Sequence, residues 1–373
     1  MMKRSRAFIL TEILTGTMLQ AGLVLALCGA FYMTINFYVR TSKILTAREK
    51  GQRVISFVDE RIRHTGLGLW KCSSSAEIHK ALRTIPGFWW DNAKTEAVKH
   101  LPVVITNGDT WNAKTLDEDG NATQGIVRGN ILTLLYAQKV SRRDDKILLI
   151  QPCDASGFFN NVPRSRPVAL SGKANDDEVK LFKTENNKDK NNNDYISSSF
   201  NELGTPSYLT SWAVTATAGV PLLLSKNATI NGRHILISAD ISTKSIDIAS
   251  GTELLYLNCD KIFTENDTNL GTGRNLAYRK LENDWDTSQA DRTEKKRNIE
   301  TGILELYIEL DKKTHVLDLY VLASGGYDSS LDNPRPKSWP DSAIWRDDYK
   351  HHYIYVSRKS WHLDNIPPSF QWN

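Results

Sequence analysis

From Phe8 to Val39 the chain is almost wholly apolar or small, and Glu12 is the only charge in that run. About 20 apolar residues suffice to span a bilayer as a helix, so the run is long enough to cross one. Beyond it the pattern changes. Ile44, Ala47, Gly51, Val54, Val58 and Ile62 recur at spacings of three and four, with Ile55 alongside. That period predicts an amphipathic helix with one buried face. Lys43, Arg48, Glu49, Lys50, Arg53, Asp59, Glu60, Arg61 and Arg63 are expected on the solvated face. No proline interrupts Phe8–Thr65, and Gly66 with Gly68 supplies a stop. The expectation is one continuous helix, apolar over 8–39 and amphipathic over 40–66. Two helices broken near Arg40 are the alternative.

Residues 67–373 read as β-rich. Ser73–Gly129 reads as irregular, with turn signals at Pro86-Gly87 and Asn107-Gly108. Strands are expected at Asn130–Ala137, Ile147–Ile150, His234–Ser238 and Glu253–Leu257. Ile303–Leu310 places Leu304, Leu306, Ile308 and Leu310 on one face, and Val316–Ala323 places Leu317, Leu319 and Val321 on one face. Asp311–Thr314 joins these two as a hairpin. His352–Val356 alternates like a further strand. Lys183–Asp194 holds no apolar residue and reads as a flexible loop, and the charged Asn283–Arg297 as an exposed one. The fold class is therefore α+β: a long N-terminal helix packed on a β-rich globular domain of antiparallel strands with long loops.

Charge and chemistry narrow the function classes. The net charge of +4 on 373 residues makes no global electrostatic case for nucleic acid. Cys28 reads as a small hydrophobe in the apolar helix, whereas Cys72, Cys153 and Cys259 lie beyond it; three thiols allow one bridge, and spacing does not choose the pair. Asp117–Asn121 looks like a calcium-loop fragment, but Arg128 stands where a closing Glu is required. Gly271-Thr272-Gly273 lacks a P-loop lysine, and no nucleophile elbow or His-Glu-x-x-His pair occurs. His351-His352 point to opposite faces of a strand and read as a surface pair rather than metal ligands. No catalytic residue, metal or cofactor is expected, and Phe88-Trp89-Trp90 reads as a core cap.

Lys3, Arg4 and Arg6 form a basic leader ahead of Ala7-Phe8-Ile9-Leu10-Thr11-Glu12. Leader, small residue, Phe, Glu spacing and long apolar helix together resemble the class III signal of type IV pilins and pseudopilins, with Ala7 where that family usually has Gly. A carboxylate at the bilayer centre costs roughly 2.5–3.5 kcal/mol, so an intramembrane Glu calls for a partner. A secretory signal cut near Cys28-Gly29-Ala30, a lipoprotein signal at Cys28 and a plain anchor would each leave Glu12 without a role. The resemblance implies removal of residues 1–7 by a prepilin peptidase between Ala7 and Phe8, N-methylation of Phe8, and pairing of Glu12 with a neighbour's amino terminus. Losing the leader's three cations lowers the net charge from +4 to +1.

Val54–Cys72, Asn130–Ala137 and Ile147–Phe159 resemble more narrowly the PilW family of minor pilins. That resemblance implies a Cys72–Cys153 disulfide tying the helix end to the sheet. It implies other major and minor pilins, a pilus assembly platform and the inner membrane as partners. The chain would sit as a single-pass inner-membrane protein, N-terminus cytoplasmic and domain periplasmic, before entering a surface pilus. Alternatives are a type II secretion pseudopilin similar to the J component, a tip adhesin or DNA-binding subunit, and an anchored enzyme.

Overall fold

A computed structural model describes residues 3–82, 101–108, 112–116, 122–139, 148–152, 168–170, 178–183, 210–226, 235–238, 246–249, 252–266, 274–281 and 296–372. The expectations for Phe88–Trp90, Asp117–Asn121, Cys153, Gly271–Gly273, the loop after Lys183 and most of Asn283–Arg297 lie outside these residues. Lys296 and Arg297, expected in that last loop, instead open a strand.

Helix α1, Lys3–Ile62, runs 60 residues without a break at Arg40. Its second half buries Ala47, Gly51, Val54, Ile55, Val58 and Ile62, the face that the period predicts. Each fully buried Val or Ile contributes about 1.5–3 kcal/mol, an upper estimate that makes this face the main adhesive between helix and sheet. Gly66 and Gly68, both at φ +77°, turn the chain out of the helix as expected. Asn365 donates to the carbonyls of Arg63 (2.8 Å) and Thr65 (3.2 Å), so a residue near the far end of the chain satisfies the helix end.

Ser73–Gly129 is more ordered than its composition suggests. It contains α2 (Ser75–Leu82), β1 (Val103–Asn107), β2 (Asn112–Leu116) and the start of β3 (Ala122–Lys139). Ser74 and Glu77 cap α2 reciprocally: Glu77 N–H donates to Ser74 Oγ and Ser73 N–H to Glu77 Oε2. The remaining strands are β4 (Leu148–Pro152), β5 (Val168–Leu170), β6 (Glu178–Lys183), β7 (Thr210–Thr215), β8 (Leu222–Lys226), β9 (Ile235–Ser238), β10 (Ile246–Ile248), β11 (Thr252–Asn266), β12 (Arg274–Leu281), β13 (Lys296–Thr301), β14 (Ile303–Asp311), β15 (Val316–Tyr327) and β16 (His352–His362).

Every pairing among them is antiparallel. The largest sheet follows the order β1-β3-β11-β4-β6-β9-β8-β7, and β7 returns to β11, closing a circuit of neighbours from β11 to β7. Strands β14-β15-β16 form a separate sheet, and one core cluster joins it to α1, β1, β3 and β11. The β14–β15 hairpin forms where the pattern places it, its turn held by Asp311, which accepts Lys313 N–H (2.9 Å) and Thr314 Oγ1 (2.7 Å).

Leu304 departs from its expected face. A register shift between Ile303 and Glu305 puts Ile303 beside Leu306 and Ile308 in the main core and turns Leu304 to the opposite side. There it meets Tyr320, Leu322, Trp339, Ala343 and Tyr349, so the segment after β15 folds over the sheet's outer face. His351 and His352 are not a surface pair. His352 is buried with Nδ1 2.8 Å from Ser324 Oγ, and His351 Nδ1 lies 2.6 Å from the Leu331 carbonyl.

Candidate functional site

The first half of α1 is apolar and uncovered. Leu19, Leu25, Met33, Phe37 and Tyr38 are 72–76% exposed, and none of the apolar window is buried by the rest of the chain. Among the described residues α1 is the one helix long and apolar enough to cross a membrane, which suggests single-pass anchoring. Ile13–Val39 carries no charge and extends roughly 40 Å at 1.5 Å per residue. Ala7 and Phe8 lie within α1, ahead of the residues whose side chains are described. Glu12 is exposed on an intact helix, its carbonyl accepting Thr15 Oγ1 at 3.0 Å. It stands roughly 46 Å along the axis from Lys43, where the sheet begins.

The second half of α1 sits on β15 and β16 with additional contacts to β13 and β3. Its approach is closest at Gly325, where a Cβ would overlap the backbone carbonyl of Lys43. No larger residue fits that crossing unless the helix backbone moves. Gly51 makes a similar approach to Ser357.

Two residues expected on the solvated face anchor the helix instead. Asp59 accepts Lys359 Nζ (2.7 Å) and Trp361 Nε1 (2.6 Å) from β16, and Arg63 Nη2 (2.8 Å) from the next helical turn. Partial burial opposes its charge, but these donors outweigh that and hold its pKa at about 2. Arg61 Nε donates to Asp260 of β11 at 2.6 Å, with side chains 12% and 0% exposed. Tyr136 of β3 donates to the same carboxylate oxygen at 2.9 Å, and the Arg61 guanidinium lies 3.5 Å from the centre of the Phe57 ring. Burial disfavours the guanidinium charge, yet the Asp260 carboxylate prevails and raises the Arg61 pKa. Arg53 adds an exposed tie to Glu300 of β13 at 3.0 Å.

Cys72 carries a free thiol buried in the main core, its Sγ 4.0 Å from the Gly219 carbonyl, while Cys153, its partner in the expected bridge, lies outside the described residues. Burial, with the nearby Glu77 carboxylate, pushes that thiol up to about 12. Cys28 is free and exposed on the apolar half of α1, and Cys259 belongs to β11. Among the described residues no group of three or more His, Cys, Asp or Glu side chains could hold a metal.

The site is therefore divided along one helix: an uncovered apolar half bearing Glu12, and a half fixed to the sheets by packing and ion pairs. No family model, no curated protein and no solved structure matches the chain. Its likeness to pilins lies in architecture: a long apolar N-terminal helix packed on antiparallel β-sheets.

Proposed function

We propose that this chain is a minor pilin, a structural subunit and assembly-priming factor of a type IV pilus rather than an enzyme. One observation carries the reading. The basic leader and Ala7-Phe8…Glu12 pattern open the same unbroken helix whose first half is wholly uncovered and whose second half is fixed to a β-rich domain.

In this reading a prepilin peptidase cuts between Ala7 and Phe8 and methylates the new amine, which keeps its positive charge. Glu12 of an incoming subunit pairs with the amine of a neighbour while the apolar helices pack together. A carboxylate left unpaired in that environment is strongly unfavourable, so the pair favours one register. The inner membrane holds the subunit before assembly, the assembly platform extracts it, and the β-rich domain faces outward. The exposure of large apolar side chains along α1 supports such a sequence, because both bilayer and helix bundle remove them from water.

N-terminal mass analysis of the membrane-extracted protein tests the proposal. A mature chain beginning at methylated Phe8 is expected; one beginning at Met1, Cys28 or Phe31 refutes it.

A further inference from the structure

The domain has a distinct edge at the point where α1 leaves its uncharged stretch. Arg40 is the first charge after Glu12, and Lys43 lies about one helical turn further on. Lys43 is where the sheet meets the helix. Its carbonyl abuts Gly325, its side chain lies along Gly326, and its Nζ stands 4.5 Å from the centre of the Tyr353 ring. Tyr353 in turn donates to Asp328 at 3.0 Å. Gly325–Asp328 and Tyr353 therefore lie level with Lys43.

This rim has the composition of a membrane interface. Tyr327 is 47% exposed, one of three large apolar side chains left so open outside α1 among the described residues. Its ring packs against His352 (5.2 Å) and His351 (6.1 Å), which hold it at the edge of the sheet. Phe37 and Tyr38 are exposed on the last apolar turns of α1, and Arg40 follows them. Aromatic rings with Lys and Arg mark the headgroup level of membrane proteins. Of the rim's acidic groups, Asp328 accepts Tyr353 and Ser330 and sets its charge against Lys43, and Asp332 faces Lys350 at 3.7 Å, which leaves Arg40 as the net positive charge of the rim.

Depth gives the same answer. The uncharged Ile13–Val39 stretch is roughly 40 Å long. A bilayer with its headgroups is about 40–45 Å thick. With Glu12 near one surface, Arg40 reaches the opposite headgroup layer, and the rim follows within about a turn. We propose that Tyr327, Arg40 and Lys43, with Gly325–Asp328 and Tyr353, form a surface that docks on anionic phospholipid headgroups and sets the domain's orientation before assembly. This inference rests on the membrane reading of α1.

Hydrogen exchange of the full chain in lipid nanodiscs tests it. Amides of the 324–328 segment are expected to exchange roughly fivefold more slowly in discs with about 30% phosphatidylglycerol than in pure phosphatidylcholine, given about 1 kcal/mol for the one basic residue of the rim whose charge is not offset. About 0.5 M salt should remove that difference, as should Arg40→Gln combined with Tyr327→Ser. Amides of Leu317–Leu322 report whether that variant is folded; if it is not, the wild-type comparison alone decides. Equal exchange in the two lipids, in a chain that co-floats with vesicles, overturns the rim and leaves the membrane reading intact. Failure to co-float at all overturns both.

Discussion

Asp59→Asn isolates the charge that clamps α1 to β16. Asparagine retains an oxygen for Trp361 Nε1 but loses the attraction of Lys359 and Arg63. The Asp59 pKa falls from an ordinary 3.8 to about 2 on folding. At about 1.36 kcal/mol per pKa unit this caps the contribution at roughly 2–3 kcal/mol. Lys359 and Arg63 are 38% and 68% exposed, so solvent screening brings the expected loss nearer 1–2 kcal/mol.

The sign of the pH dependence follows from the depressed pKa. A carboxylate whose folded pKa lies below its unfolded value contributes its full stabilisation above the unfolded pKa and loses it as pH falls through the folded one. The wild-type advantage over Asp59→Asn should therefore be complete above about pH 5 and shrink as pH falls from there toward and below 2. Urea unfolding of both detergent-solubilised proteins across this range reads it directly, because the other carboxylates titrate alike in both and cancel in the difference. Stability curves that stay parallel down to pH 2, or an Asn variant as stable as wild type at pH 7, would refute the clamp.

Four further outcomes are expected. Arg61→Met should cost about 3–5 kcal/mol in denaturant unfolding by withdrawing the guanidinium from a fully buried Asp260, and Asp260→Asn in the same chain should restore over half of it; no restoration would count against a charge effect. Gly325→Ala should destabilise by about 1–3 kcal/mol and raise hydrogen exchange over Lys43–Lys50, whereas an unchanged exchange map would show that the helix does not ride on that glycine. Cys72 should resist alkylation at pH 8 until denaturant is added, and non-reducing peptide maps should show it unlinked; a Cys72–Cys153 peptide would contradict the buried free thiol. Glu12→Ala should leave cleavage after Ala7 intact but impair pilus incorporation, and normal assembly at wild-type expression would argue against the pairing role.

What could be read in the sequence was the periodic part. Val54, Val58 and Ile62 repeat on one face of an unbroken helix, and their burial follows from local geometry alone. The functions of Asp59 and Arg61 could not be read that way, because their partners lie 300 and 199 residues away. On a helical wheel they resemble any solvated charge. Leu304 was misplaced for a different reason: one extra residue at a bulge reverses the alternation, and no residue type announces it. The short strands β1 and β2 were missed because each takes its register from β3 rather than from its own pattern. Nothing local singles out Gly325, because the Lys43 backbone it admits comes from a distant part of the chain. The Ala7-Phe8…Glu12 pattern is a matter of residue order alone, and the proposal that it is a processing signal rests on that order rather than on any contact in the fold.

The continuity of α1 gives these distant contacts a purpose. A helix broken near Arg40 would let its apolar half pack or move with little effect on the β-rich domain. An unbroken helix passes displacement of the Glu12 end on to residues 43–62. The fixed half must then resist sliding as well as separation. Apolar packing of Val54, Val58 and Ile62 opposes separation but is nearly indifferent to small axial shifts, since it is non-directional. Asp59 bonded to Lys359 and Trp361, and Arg61 bonded to Asp260, supply the directional resistance, and the interlock of Gly325 with the Lys43 backbone blocks travel by shape. On the proposed function, in which the subunit is drawn from a bilayer by its helix, these contacts would bring the domain along.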